Sequence, residues 1–217
     1  MIEYIYLHGF ASGPGSQKAL VFKERFKKDR LSLTIPDLQE GGFENLTLTK
    51  QVSVVQKIID EKPDGRFVLI GSSMGGYVAA LTAETRKHVE ALYLMAPGFN
   101  FLNRWMESMN WDKKSLNLLP DLIRVFHYRY NKEMTLKTDL FRDALHWDSI
   151  PLTRKIPIRV VHGINDETVD IQESRDFASS RPWCQIKELD SDHGLISCID
   201  WIVDDCMNFF SDNQLSS

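Results

Sequence analysis

The chain has 217 residues, 43% hydrophobic and 26% charged, the balance of a globular protein with a real core rather than a disordered one. Twenty-six basic residues against thirty acidic ones leave a formal charge of −4, which gives no general attraction for nucleic acid or anionic membranes. No apolar run approaches the ~20 residues that span a bilayer. The three cysteines, Cys184, Cys198 and Cys206, form no CxxC pair, which argues against a disulfide framework or a zinc site. The opening MIEYIYLHGF lacks a basic start, a long apolar run and a small-residue cleavage site. No secretory signal is therefore expected, and the expected address is the reducing cytoplasm.

In chain order, Tyr4 to Leu7 is a β-prone run that stops at His8-Gly9. Ser16 can cap a helix with Ala19, Phe22 and Phe26 at helical spacing, and the KERFKKDR stretch of that helix reads as a solvated face. Leu31 to Ile35 predicts a second strand, closed by Pro36-Asp37. Thr49 is the expected cap of a helix with Val52, Val55 and Ile59 on its apolar face. Phe67 to Ile70 predicts a third strand followed by an alanine-rich helix, and Val89 to Met95 a fourth strand closed by Pro97-Gly98.

The rhythm breaks between Phe99 and about Ile150, where strand signals vanish, helical patterns dominate and aromatics such as Trp105, Trp111, Phe126 and Trp147 accumulate. Alternation then resumes with a strand at Ile158 to Val161, a helix at Ile171 to Ala178, a strand at Gln185 to Leu189 and a last helix with Ile199, Ile202, Val203, Cys206 and Phe210 on one face. Short apolar strands alternating with amphipathic helices imply a parallel sheet covered on both faces. Ligands of such sheets bind beyond the carboxyl ends of the strands, so the residues that follow each strand carry the functional weight.

Gly71-Ser72-Ser73-Met74-Gly75 fits G-x-S-x-G only with Ser73 at the centre, because a centre at Ser72 would need glycine at Ile70 and Met74. A serine on a tight strand-to-helix turn brings its second neighbours together, and those must be small. A serine hydroxyl also needs a base to take its proton. Of the six histidines, His193 lies in the loop after the last strand, where it can reach over the sheet to Ser73. His8 and His162 also end strands, but each precedes a glycine and reads as a turn-shaping residue. The base in turn needs a carboxylate to fix its tautomer. Asp166 is favoured over Glu167, Asp190 and Asp192, since it gives the chain order Ser, Asp, His. For an oxyanion hole the expected donors are the N–H groups of Met74, at a helix N-terminus, and Phe10, in the loop after the first strand. Such chemistry needs no metal or organic cofactor.

The stretches YLHGFASGPGSQKA and GSSMGGYVA, with IRVVHGINDETV and SDHGL, resemble the α/β-hydrolase superfamily and within it the small bacterial YqiA-like serine esterases. They are also similar to the mitochondrial depalmitoylating hydrolases of that superfamily. The resemblance implies a three-layer α/β-hydrolase fold, with a mostly parallel sheet of about six strands in the order 2-1-3-4-5-6 and without the antiparallel strands that open larger members. It implies that residues 1–217 form a single domain with a helical cap insertion at about 99–150. The aromatics of that segment would then line an acyl or aryl pocket, pack the cap onto the core, or both. The function it implies is ester cleavage through an acyl-enzyme by Ser73, His193 and Asp166, on a small-molecule ester or thioester. An acyl-thioesterase, a peptidase or C–C bond hydrolase, and a non-catalytic binding protein on the same scaffold remain alternatives.

Overall fold

The computed structural model describes residues 2–215. Six strands build one sheet: β1 (Ile2–Leu7), β2 (Leu33–Thr34), β3 (Arg66–Ser72), β4 (Val89–Met95), and, after a long connection, β7 (Ile158–Gly163) and β8 (Cys184–Leu189). Their order is β2-β1-β3-β4-β7-β8, and every neighbouring pair is parallel. Counted over the sheet strands alone, this is the 2-1-3-4-5-6 order expected from the resemblance.

Alternation along the strands divides the core in two. Tyr4, Tyr6, Val68, Ile70 and Tyr93 face one side, where they meet Phe22 and Phe26 of α1 (Gln17–Lys28) and Ile202 and Phe210 of α7 (Ile199–Asp212). Ile5, Leu7, Leu69, Leu92 and Leu94 face the other side. There they meet Val52, Val55 and Ile59 of α2 (Leu48–Asp60) and Val78 and Leu81 of α3 (Met74–Thr85). Phe177 of α6 (Ile171–Ser179) joins this second core. Two helix layers therefore sandwich a sheet whose central strands β1, β3, β4 and β7 are buried on both faces, and every strand ends at the same edge.

Local chemistry sets the helix starts. Ser16 Oγ accepts from Ala19 N–H at 3.4 Å and caps α1 as expected. The cap of α2 is Thr47 rather than Thr49: Thr47 Oγ1 accepts from Lys50 N–H at 3.1 Å. Thr49 sits inside the first turn and is used elsewhere, donating to Asp143 and accepting from the Trp147 indole at 2.8 Å.

Between β4 and β7 lie α4 (Phe101–Ser108), an antiparallel hairpin of β5 (Leu122–His127) and β6 (Lys132–Lys137), and α5 (Asp139–Asp148). The helices agree with the reading of this segment, but the hairpin does not. In LIRVFH the inward residues Ile123 and His127 are buried, yet the outward face also carries Leu122 and Phe126, 46% and 44% exposed. Apolar residues on both faces hide the two-residue period that marks a strand. The hairpin is fastened to the rest of the chain by Arg129 to Asp37, His127 to Gln39 and Lys137 to Asn45.

Candidate active site

Ser73 follows β3 directly and opens α3 with φ 55° and ψ −121°. Few non-glycine residues hold such a backbone, and its neighbours force it. A Cβ on Gly71 would lie 2.5 Å from the Gly75 carbonyl oxygen, and one on Gly75 would lie 2.2 Å from that of Leu7. The two glycines let the strand-to-helix turn close against β1, so the Ser73 side chain is presented at the sheet edge. Ser72 ends β3 and is buried, 3% exposed.

His193, from the loop after β8, places Nε2 at 3.0 Å from Ser73 Oγ and Nδ1 at 2.7 Å from Asp166 Oδ2. The carboxylate only accepts, so Nδ1 carries the proton and Nε2 offers its lone pair to the serine hydroxyl. The imidazole is 25% exposed, whereas the Asp166 side chain is fully buried. Burial opposes ionisation of Asp166. The hydrogen bonds from His162, His193 and the Val169 N–H outweigh it and hold the carboxyl well below the usual range. Asp166 Oδ1 accepts from the N–H groups of Thr168 and Val169, both at 2.8 Å.

A second histidine touches the same carboxylate. His162 Nε2 lies 3.1 Å from Asp166 Oδ2 and 3.0 Å from the Val169 carbonyl, both acceptors, so it carries the proton. Its Nδ1 then accepts from the Ser174 hydroxyl at 2.7 Å. The other carboxylates of the region are engaged elsewhere: Asp190 accepts from the Asn165 side chain and Asp192 from Leu195 N–H.

His8, at the end of the loop-bearing β1, donates through Nδ1 to the Gly9 carbonyl at 3.0 Å and accepts at Nε2 from Leu38 N–H at 3.0 Å. It braces the turn that brings Gly9 against Ser73, where a glycine Cβ would sit 3.3 Å from the serine Cβ. Phe10 and Met74, the two residues expected to offer oxyanion donors, line one cavity with Ser73 and His193. The Phe10 ring is held by Phe43 and Trp105, with centroids 5.5 and 5.6 Å away.

That cavity has a volume of about 740 Å³, ample for a small organic substrate. Its walls are mixed. Phe101, Trp105, Val125 and Phe126 form an apolar side, and Ser12, Ser16, Lys18 and Thr168 a polar one. The aromatics between β4 and β7 thus divide: Phe101 and Trp105 line the cavity, while Trp111 and Phe141 pack together at 5.5 Å. Among the described residues, no group of three or more His, Cys, Asp and Glu side chains is placed to hold a metal ion, and no helix is long and apolar enough to cross a membrane.

The structure brings Ser73, Asp166 and His193 into one hydrogen-bonded line and sets Phe10 and Met74 beside it. Sequence reading gave His162 a turn-shaping role, whereas it bonds Asp166, and it missed two residues: Lys18 lines the cavity and bonds the carbonyl after His193, and Arg104 lines the cavity while paired with Glu173 at 2.8 Å. Only His162 had a visible signal, its place directly before the strand-ending Gly163.

The family model described as "Uncharacterised protein family (UPF0227)" matches residues 3–209. Human palmitoyl-protein thioesterase ABHD10, by name mitochondrial, is 25% identical over 183 residues, covering 80% of this chain and 60% of that protein. The chain thus spans about three fifths of the length of these curated relatives. Among solved structures, Est1E from Butyrivibrio proteoclasticus with ferulic acid bound aligns with a TM-score of 0.85 at 18% identity, covering 100% of this chain and 90% of that one. Mouse alpha/beta hydrolase domain-containing protein 10 aligns with a TM-score of 0.79 at 22% identity, covering 99% and 90%. At these identities the structural likenesses show the fold, which is that of the α/β hydrolases.

Proposed function

The chain belongs to the UPF0227 family, and from that premise we propose that it is a serine hydrolase cleaving carboxylic esters through an acyl-enzyme intermediate. The observation that carries the proposal is the line Ser73 Oγ, His193 and Asp166, with contacts of 3.0 and 2.7 Å, open to a mostly apolar cavity. His193 takes the Ser73 proton as Oγ attacks the ester carbonyl carbon. The N–H groups of Phe10 and Met74 hold the oxygen that becomes negative, each worth ~10²–10³-fold in rate. The C–O bond to the alcohol breaks and His193 delivers the proton to that leaving oxygen. Water, giving its proton to His193, then attacks the acyl carbon; the bond to Ser73 Oγ breaks, His193 returns the proton to Oγ, and the acid is released. Asp166, held ionised by the hydrogen bonds it accepts, fixes the imidazole tautomer and stabilises the imidazolium.

In this reading the chain is one domain and the segment at about 99–150 is a cap whose apolar wall receives the acyl or aryl group. The substrate is a small molecule. The cysteines Cys184, Cys198 and Cys206 are all unpaired, which agrees with a reducing compartment such as the cytoplasm. A second reading, acyl-thioester cleavage by the same groups, is favoured by the likeness to a palmitoyl-protein thioesterase. An acyl-chain series with matched oxygen and sulfur leaving groups separates the two. If both classes are untouched while a fluorophosphonate fails to label Ser73 in the folded protein, a non-catalytic binding role replaces both.

A further inference from the structure

Lys18 stands in the first turn of α1, on the polar wall of the cavity. Its ammonium donates to the Gly194 carbonyl at 2.8 Å, a contact across 176 positions to the residue that follows His193. The other bonds of this loop run elsewhere. Asn165 holds Asp190 and Ser191 from the acid loop, Ser191 holds Ser197, and Asp192 closes a turn onto Leu195. Lys18 is the tie from α1, and it acts one residue from the imidazole.

Charge points the same way. Asp166 from the acid loop and Asp192 from the histidine loop both attract the ammonium. His193 and Tyr6 share the cavity wall with it, and burial keeps the Tyr6 phenol neutral. Burial pulls the Lys18 ammonium down to about 8, against the pull of both carboxylates, so it is charged at neutral pH.

We propose that Lys18 is a positioning residue of this site: from α1 its ammonium fastens the His193 loop over Ser73. The proposal rests on the serine-hydrolase reading for its kinetic consequence but not for its structural one.

The test compares wild type with Lys18→Met, Lys18→Gln and Lys18→Arg, by p-nitrophenyl butyrate kinetics and by hydrogen exchange of the amides in the loop after β8. Lys18→Met and Lys18→Gln are expected to lower kcat about 10- to 100-fold, the loss of a charged hydrogen bond, with KM changed less than about twofold, and to speed exchange in that loop. Lys18→Arg should keep slow exchange and most of kcat. Wild-type kcat and exchange in Lys18→Gln, or equal losses in the Arg and Gln variants, overturn the proposal, and that pair decides even if Lys18→Met does not fold. A wild-type protein without ester turnover or Ser73 labelling overturns the hydrolase reading instead, while the exchange of the loop still judges Lys18.

Discussion

His162 and His193 both place a ring nitrogen on the same oxygen of Asp166, at 3.1 and 2.7 Å. A buried carboxylate with two imidazole donors on one oxygen is fixed in orientation from strand β7 and from the His193 loop. His162 touches neither Ser73 nor the cavity, so it acts through Asp166. Replacing it by Phe removes one donor and leaves the Ser174 hydroxyl without its acceptor. We expect His162→Phe to lower kcat roughly 10-fold, about one hydrogen bond to a charged group, with KM near wild type. His162→Gln, which can still donate, should recover part of it. Loss of all turnover in a folded His162→Phe protein would mean that His162 does more than hold Asp166.

The apolar wall predicts chain-length preference. Trp105 lies between Phe10 and Phe141, 5.6 and 5.2 Å from their ring centroids, and lines the cavity. Trp105→Ala opens space at that wall. In a p-nitrophenyl ester series its optimum should shift to longer acyl chains, with short-chain kcat/KM reduced several-fold. An unchanged optimum would place the acyl group against the other wall.

His8 gives a pH dependence of stability. Burial, helped by the Arg129 charge, lowers its affinity for a proton against the opposing pull of the Gly9 carbonyl and Asp37. Protonation would also cost Nε2 its bond from Leu38 N–H. A depressed folded value means that the unfolded chain binds the proton first. The stability from neutral His8 is therefore full above ~6.5, the ordinary histidine value, and is lost as pH falls from there to the folded value. Urea midpoints should decline across that window in wild type and decline less in His8→Gln. Equal slopes in the two proteins would count against it.

Arg159 and Asp205 form a pair at 2.6 Å with side chains 8% and 12% exposed, and the Tyr93 hydroxyl also bonds Asp205 at 3.0 Å. This pair joins β7 to α7, far from the cavity lining. Asp205→Ala strands a buried guanidinium, and we expect a loss of about 3–5 kcal/mol in unfolding free energy, with kcat of the folded fraction unchanged. A loss below about 1 kcal/mol in denaturant titrations would show that water reaches Arg159.

The sheet is legible because its central strands are buried on both faces and its turns carry Gly and Pro, and the run Val89–Met95 coincides with β4 to the residue. The residues of the site were legible where a single loop announces them: Ser73 by its flanking glycines, His193 and Asp166 by their place after strands. Lys18 was not, since nothing local marks a contact that spans 176 positions. Thr49 looked like a cap because it precedes the apolar face, but Thr47 reaches Lys50 N–H. The hairpin was hidden by Leu122 and Phe126 on its outer face. For Lys18 a tertiary partner decides the outcome; for the cap and the hairpin the local pattern itself is ambiguous.

The central claim is that Ser73, activated by His193, is the nucleophile, and active-site labelling tests it most directly. Folded wild type is treated with a fluorophosphonate and the modified residue identified by mass spectrometry, alongside Ser73→Ala and Ser72→Ala. The account predicts modification of Ser73 alone, no labelling or ester turnover in Ser73→Ala, and substantial retention of both in Ser72→Ala. Labelling that survives in Ser73→Ala, or is lost only in Ser72→Ala, would contradict it.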